Sequence, residues 1–191
     1  MAQSKRGQLV TVSGPSGVGK STVVNRALEL APQIWLSVSA TTRTPRPGEQ
    51  DGVSYRFLRT DEFRRMREDS GLLESAEFAG NWYGTPRDAV EDQLNAGTDV
   101  LLEIELQGAR QVRRAMPEST SVFLIPPSWE HLQQRLRSRG TEDPQALALR
   151  LQAAEAELAA ADEFDCVIVN QDVEQAAEQL LAWIHNPARS G

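Results

Sequence analysis

An α/β fold, with a mainly parallel sheet flanked by helices, is predicted from two observations. Short apolar runs rich in β-branched residues alternate with helical patterns along most of the 191 residues, and the first strand-to-helix junction is a glycine-rich loop. A third observation, an Arg/Gly/Pro/Thr-rich interruption early in the chain, predicts a small inserted subdomain.

The first run, Gln8 to Ser13 (QLVTVS), ends at glycines and reads as a strand. The following residues, GKSTVVNRALEL, place Val23, Val24, Ala27, Leu28 and Leu30 at helical spacing. Three further apolar runs, Asp99–Leu106, Ser121–Ile125 and Cys166–Val169, precede helical patterns at Gly108–Ala115, Ser128–Arg137 and Val173–Ile184. Strand-then-helix repetition implies parallel strands, and ligands gather at the carboxyl ends of such strands. Within the interruption, Ser39 to Asp88, the strand-like pieces VSYRFL and LLESAEF lie around a helix expected at Thr60–Asp69. Between Arg137 and Arg150, Gly140, Thr141 and Pro144 separate two helical patterns, which suits a closing flap whose second helix begins near Asp143 or Pro144. The expected organisation is one domain over 1–191, with a core of 1–38, 89–136 and 164–191. The inserted subdomain takes 39–88, and a lid with its returning helix takes 137–163.

A net charge of −7 argues against general nucleic-acid binding, which needs a basic excess to neutralise phosphates. The basic residues are nevertheless concentrated: Arg43, Arg46, Arg56, Arg59, Arg64, Arg65 and Arg67 fall in one short span, as for a small anionic ligand or a solvated charged face. No run of 18 apolar residues and no charged-then-apolar leader appears, so a soluble, cytoplasmic chain with no membrane partner is expected. A single cysteine, Cys166, cannot form an internal disulfide and reads as a small apolar strand residue. His131 and His185 lack metal-ligand spacing, and Trp35, Trp129 and Trp183 read as packing.

Chemistry is concentrated in Gly14-Pro15-Ser16-Gly17-Val18-Gly19-Lys20-Ser21, followed by Thr22, which satisfies GxxxxGK(S/T) between a strand and a helix. Glycines let successive N–H groups surround phosphate oxygens at a helix N-terminus that favours negative charge. Eighteen arginines serve the rest of the chain, yet one of only two lysines stands here. A compact charge on a flexible stem suits a moving phosphoryl group, and the Ser21 hydroxyl suits Mg²⁺ arriving with ATP.

This loop alone implies a phosphate-binding NTPase or kinase and leaves the acceptor open. Six motifs in order, SGPSGVGKST, SATTRTPRPGEQDGVSY, LLESAEFAGNWYGTP, LLEIELQG, RLRSRGT and VIVN, resemble guanylate kinases over almost the whole chain. The resemblance implies a P-loop kinase fold with a GMP-binding subdomain and a helical lid, which phosphorylates GMP, and dGMP, from ATP within purine nucleotide metabolism. ATP and GMP are the implied small-molecule partners, with no obligate protein partner. By resemblance, Arg43, Arg46, Tyr55 and Tyr83 hold the GMP phosphate, Glu74 reads guanine, and Ser39 and Thr85 contact the base. Physical chemistry agrees: arginine forks hold phosphate bidentately, and a carboxylate accepts the paired N1 and N2 donors that adenine lacks. Trp82 is expected to line the same pocket.

Glu103 and Glu105 alternate in VLLEIELQG and are expected on one face of the strand; the resemblance implies that both belong to the GMP site, with Glu103 a base or metal-water contact. The family often has Asp-x-Asp there, so each arm of this chain is one methylene longer. Arg135, Arg139 and Arg150 are the implied lid arginines, and catalysis is assigned to them together with Lys20 and Arg43. Asn170 in VIVNQD resembles the family's contact near adenine, and Gln171 stands where a GTPase signature has lysine. Two other readings remain open here, an interaction module that has lost catalysis and a kinase for another base. The intact loop argues against the first, and Glu74 with Ser39 discriminates the second.

Overall fold

The computed structural model describes residues 5–138 and 144–185. In chain order the elements begin with β1 (Leu9–Ser13), α1 (Lys20–Leu30), β2 (Trp35–Leu36), β3 (Ala40–Thr41), β4 (Arg56–Phe57), α2 (Thr60–Glu68) and β5 (Leu72–Phe78). They continue with β6 (Asn81–Pro86), α3 (Arg87–Asn95), β7 (Val100–Glu103), α4 (Leu106–Ala115) and β8 (Thr120–Ile125). The described chain ends with α5 (Trp129–Ser138), α6 (Pro144–Leu158), a 3₁₀ turn (Ala161–Glu163), β9 (Cys166–Val169) and α7 (Val173–His185).

Five strands form one parallel sheet in the order β2-β7-β1-β8-β9. Alternation along each strand sends apolar side chains to both faces. On one face Val10, Val12, Leu101, Val122, Leu124 and Ile168 pack with Val23, Val24 and Ala27 of α1 and with Ala176, Ala177, Leu180 and Ile184 of α7. On the other, Leu9, Val100 and Leu102 meet Val90 and Leu94 of α3 and Ala109 and Val112 of α4. Full burial of each such valine or leucine contributes about 1.5–3 kcal/mol. β1 therefore lies in the middle of the sheet with β7 on one side and β8 on the other, and the crevice at its carboxyl end is where such sheets bind ligands.

A second, four-stranded sheet has the order β4-β3-β6-β5, with β3 parallel to β4 and the other pairs antiparallel. Residues 40–86 build this sheet, and α2 lies over it, with Phe63 buried. A third apolar cluster joins α5 to α6 through Leu132, Leu136 and Ala154. Asp165 ties β9 to β8 by accepting from the Ser121 backbone N–H at 2.8 Å and its hydroxyl at 2.7 Å. Arg113 pairs with the same carboxylate at 2.9 Å.

The expected strands and helices are present, with LLESAEF matching β5 residue for residue. One expectation needs correction, and one left open is narrowed. The run Asp99–Leu106 ends as a strand at Glu103, because α4 begins at Leu106 and Glu105 is its cap residue. In the basic span, Arg59 and Arg65 pair with Asp61 and Glu62 on the exposed surface of α2, and Arg67 stacks 4.4 Å from the Trp82 ring centre. For those three arginines the contacts support the solvated-face alternative. Among the described residues, no helix is long and apolar enough to cross a membrane.

Candidate active site

The loop from Gly14 to Gly19 leaves the carboxyl end of β1 and enters α1. Gly19 caps the helix at φ 95°, a left-handed conformation that costs other residues steric strain. A Cβ there would also sit 2.8 Å from Asn170 Nδ2. Gly17, at φ 84°, lies so close to α5 that a Cβ would meet Leu136 Cδ2 at 2.8 Å. Val18 is fully buried, and its N–H bonds to Pro15 O at 3.1 Å. Lys20 folds back over the loop, with Nζ donating to Gly14 O at 2.6 Å and lying 3.4 Å from Glu105 Oε1. The Ser21 hydroxyl donates to Glu103 Oε1 at 2.6 Å. Thr22 is exposed in the first turn of α1.

Glu103 and Glu105 thus both face the phosphate loop, one from the end of a strand and one from a helix cap. The six residues from Glu103 to Gly108 link this loop to the second sheet, because Gly108 packs directly against Glu74.

Helices α5 and α6 reach the same loop. Arg135 donates to Val18 O at 2.8 Å and to Asn170 O at 3.3 Å, and Arg150 donates to the Ser16 hydroxyl at 3.0 Å. Asn170, 2% exposed, donates from Nδ2 to Val18 O at 2.8 Å. Arg139 lies outside the described residues. Glu157, unremarked in the sequence, accepts the Ser16 N–H at 3.3 Å. Burial, and then the nearby Glu105 carboxylate, push its pKa upward against the Ser16 bond and Lys20. A carboxylate has taken one of the N–H groups that a phosphate oxygen could use.

The second sheet carries the remaining candidates. Glu74 on β5 stands opposite Thr85 on β6, and both are buried. Thr85 Oγ1 donates to Glu74 Oε1 at 2.8 Å. Burial raises the pKa of this carboxyl, and the Thr85 hydrogen bonds partly oppose the shift. Arg43 is held bidentately by Glu49, at 2.8 and 2.9 Å, and lies 5.4 Å from the Tyr55 ring centre. Tyr55 and Tyr83 meet edge to face with centres 6.0 Å apart. Ser39 is half-buried, and its carbonyl accepts the Arg56 N–H at 2.9 Å. Arg46 is exposed and joins this group through its backbone N–H, which donates to Glu49 at 2.7 Å. Trp82 faces away from Tyr83 by strand alternation and packs on Phe63, 6.1 Å between centres, so the expectation that it lines the pocket is corrected.

Glu49 was absent from the sequence reading; its only signal is an acid three residues beyond Arg46 in a Pro/Gly loop. The Arg43 guanidinium and then the Arg46 N–H hold its pKa at about 2, below the ordinary 4.5. A lowered carboxyl pKa stabilises the folded state above the unfolded value, and that contribution is lost as pH falls through the folded one. Urea unfolding of the wild type and Glu49→Gln is therefore expected to differ at pH 6, with the difference shrinking between pH 4.5 and about 2. A gap that stays constant over this range would assign the loss to packing.

A glycine-rich phosphate loop between strand and helix, with arginines of α5 and α6 bonded to it and a second sheet bearing a buried acid beside it, is the arrangement of a P-loop phosphotransferase. The family model described as guanylate kinase matches residues 6–186. The chain is 59% identical to a guanylate kinase of Streptomyces coelicolor over 177 residues, covering 93% of this chain and 90% of that one. It is 56% identical to one from Thermobifida fusca, covering 97% and 94%. The crystal structure of guanylate kinase from Anaplasma phagocytophilum superimposes with a TM-score of 0.76 at 34% identity, covering 97% of this chain and 88% of that one. This chain belongs to the guanylate kinase family.

Proposed function

We propose that this chain transfers the γ-phosphoryl group of ATP to a phosphate oxygen of GMP, releasing ADP and GDP. The observation that carries the reading is the short bridge between two chemistries. Glu103 and Glu105 touch Ser21 and Lys20, while Gly108 touches Glu74. The five steps from Glu103 to Gly108 span at most about 18 Å of backbone, so one small acceptor can rest its base on Glu74 and still reach the phosphate loop. dGMP presents the same base edge and phosphate and is the second acceptor.

The acceptor oxygen is already anionic near neutral pH, so alignment and charge neutralisation replace a strong base. Backbone N–H groups of the loop from Gly14 to Thr22 cradle the ATP phosphates, and Lys20 follows the group in flight. Arg43, with Arg46, Tyr55 and Tyr83, holds the GMP phosphate once the substrate displaces Glu49. Glu74, Thr85 and Ser39 read guanine, and Asn170 stands beside adenine. Glu103 and Glu105 hold Ser21 and Lys20 in place. Ser21 and Glu103 offer oxygen donors in contact, which fit a hard cation such as Mg²⁺. Among the described residues, no group of three or more His, Cys, Asp or Glu side chains could hold a metal, and Ser21 and Glu103 would hold the ion together with bound ATP. When bound, Mg²⁺ neutralises charge on the β- and γ-phosphates.

Residues 39–88 and 137–163 close as a GMP-binding subdomain and a lid upon the core, in a reaction placed in the cytoplasm. Arg135, Arg139 and Arg150 come to the transferring phosphoryl group with that closure. Arg150→Ala is expected to lower kcat by about 100-fold while the GMP Kd moves less than about threefold. Steady-state turnover with GMP calorimetry checks this, and unchanged turnover removes Arg150 from the reaction. The reading as a whole is tested by ADP release with ATP and Mg²⁺, comparing GMP with AMP, CMP and UMP. Release confined to GMP is the expected result; release with another acceptor, or none from folded protein, overturns it.

A further inference from the structure

We propose that Gly108 and Gln111 of α4 are positioning residues that set where the Glu74 carboxylate stands, and so set the preference for guanine. The proposal rests on Glu74 being the base-reading acid.

Glu74 is fixed on one side only by Thr85, whose hydroxyl takes Oε1. The other oxygen rests on Gly108. A Cβ at that position would lie 2.9 Å from Oε2, 3.3 Å from Cδ and 3.4 Å from Cγ. Gly108 has helical rather than left-handed backbone geometry, so conformation does not demand glycine there. Glycine is also a poor helix former, so propensity does not favour it either. Space for the carboxylate is the remaining physical reason.

Gln111 lies one helical turn further on, on the same face of α4. Its amide works in both directions on the residue after Glu74: Ser75 N–H donates to Oε1 and Nε2 donates to Ser75 O, each at 3.1 Å. β5 is an edge strand, and Glu74 and Thr85 face each other across its single ladder. Ser75 turns its N–H and C=O outward, where no further strand pairs them, and the Gln111 side chain takes that place. Gly108 thus limits the depth of the carboxylate, and Gln111 pins the backbone that carries it. A donor pair such as guanine N1–H and N2–H tolerates little displacement of its acceptor.

The test measures kcat and KM for each substrate in Gly108→Ala and Gln111→Ala, with folding checked by circular dichroism. Expected is a rise in KM for GMP of about 10- to 100-fold, with kcat and the KM for ATP each within about threefold. The GMP-over-AMP ratio of kcat/KM is expected to fall in step. Shortening the acid should relieve the crowding, so Glu74→Asp is expected to cost less in the Gly108→Ala background than in the wild type. A KM for GMP unchanged in both folded variants, or equal losses for ATP and GMP, overturns the proposal. Glu74→Gln separates the two levels. If that variant weakens GMP while Gly108→Ala and Gln111→Ala do not, the positioning role alone fails; if it leaves GMP untouched, the reading of Glu74 fails and the positioning role with it.

Discussion

Lys20→Ala is expected to lower kcat by about 10³-fold while GMP affinity stays within about threefold. The side chain is 10% exposed and its ammonium is already drawn over the loop by Gly14 O at 2.6 Å. Little reorganisation is then needed as charge develops on the transferring oxygens. Removal has a second cost: Glu105, 3.4 Å away, and Glu103, bonded to Ser21, lose the cation between them and the phosphates. Their repulsion acts on ATP and on the transition state alike, so the KM for ATP is expected to rise as well. Lys20→Arg is expected to recover little. A planar fork cannot keep the short bond to Gly14 O and also track the phosphoryl group. Coupled ADP release gives kcat, and calorimetry gives the GMP Kd of the folded variant. Turnover within tenfold of wild type would remove Lys20 from catalysis.

The phosphate loop was legible because its chemistry is local. Glycines, lysine and hydroxyl are consecutive, and a strand and helix flank them. The parallel sheet was legible for a related reason: strands buried on both faces leave uninterrupted apolar runs. β6 was harder to see, since NWYGTP interrupts its strand formers Trp, Tyr and Thr with Asn, Gly and Pro, and its pairing with β5 overrides those breaks. α3 follows immediately and was also missed. Its start does carry Thr85, Pro86 and a first-turn Asp88, but it abuts β6 directly and leaves no loop to mark the boundary. The alternating Glu103 and Glu105 looked like one strand face, but period two held only to Glu103. Both acids nevertheless reach the phosphate loop. Glu49, Gln111 and Glu157 stayed invisible for a common reason. Each acts on a partner set by the fold: the Arg43 fork, the Ser75 backbone and the Ser16 N–H. In sequence, Glu157 is one more acid in an alanine-rich helix.

Glu74→Gln is expected to lower kcat/KM for GMP by about 10³-fold, with AMP changed by less than about tenfold, so that discrimination collapses. A carboxylate accepts from both guanine donors. A glutamine of the same length accepts with one atom and opposes the other donor with its own N–H. The site is buried, so the mismatch is not relieved by water, and each unpaired group costs about 1–3 kcal/mol. The same burial predicts an opposite effect on stability. Raised folded pKa means that the ligand-free fold holds the Glu74 proton more tightly than the unfolded chain. Its contribution is fully present below the unfolded value near 4.5 and is lost as pH rises through the folded one. Above its folded pKa the wild type therefore carries a desolvated charge that glutamine lacks, while the Thr85 hydroxyl can still donate to the amide oxygen. Glu74→Gln is expected to unfold at higher urea than the wild type without GMP, and that advantage should vanish below pH 4.5. Guanine binding depends on the same ionisation with the reverse sign, since the acceptor pair is lost as pH falls through the folded pKa. Stability gained and guanine selectivity lost in one substitution would mark Glu74 as a charge kept for recognition. A variant that keeps its preference for GMP would place the reading of the base elsewhere in the pocket.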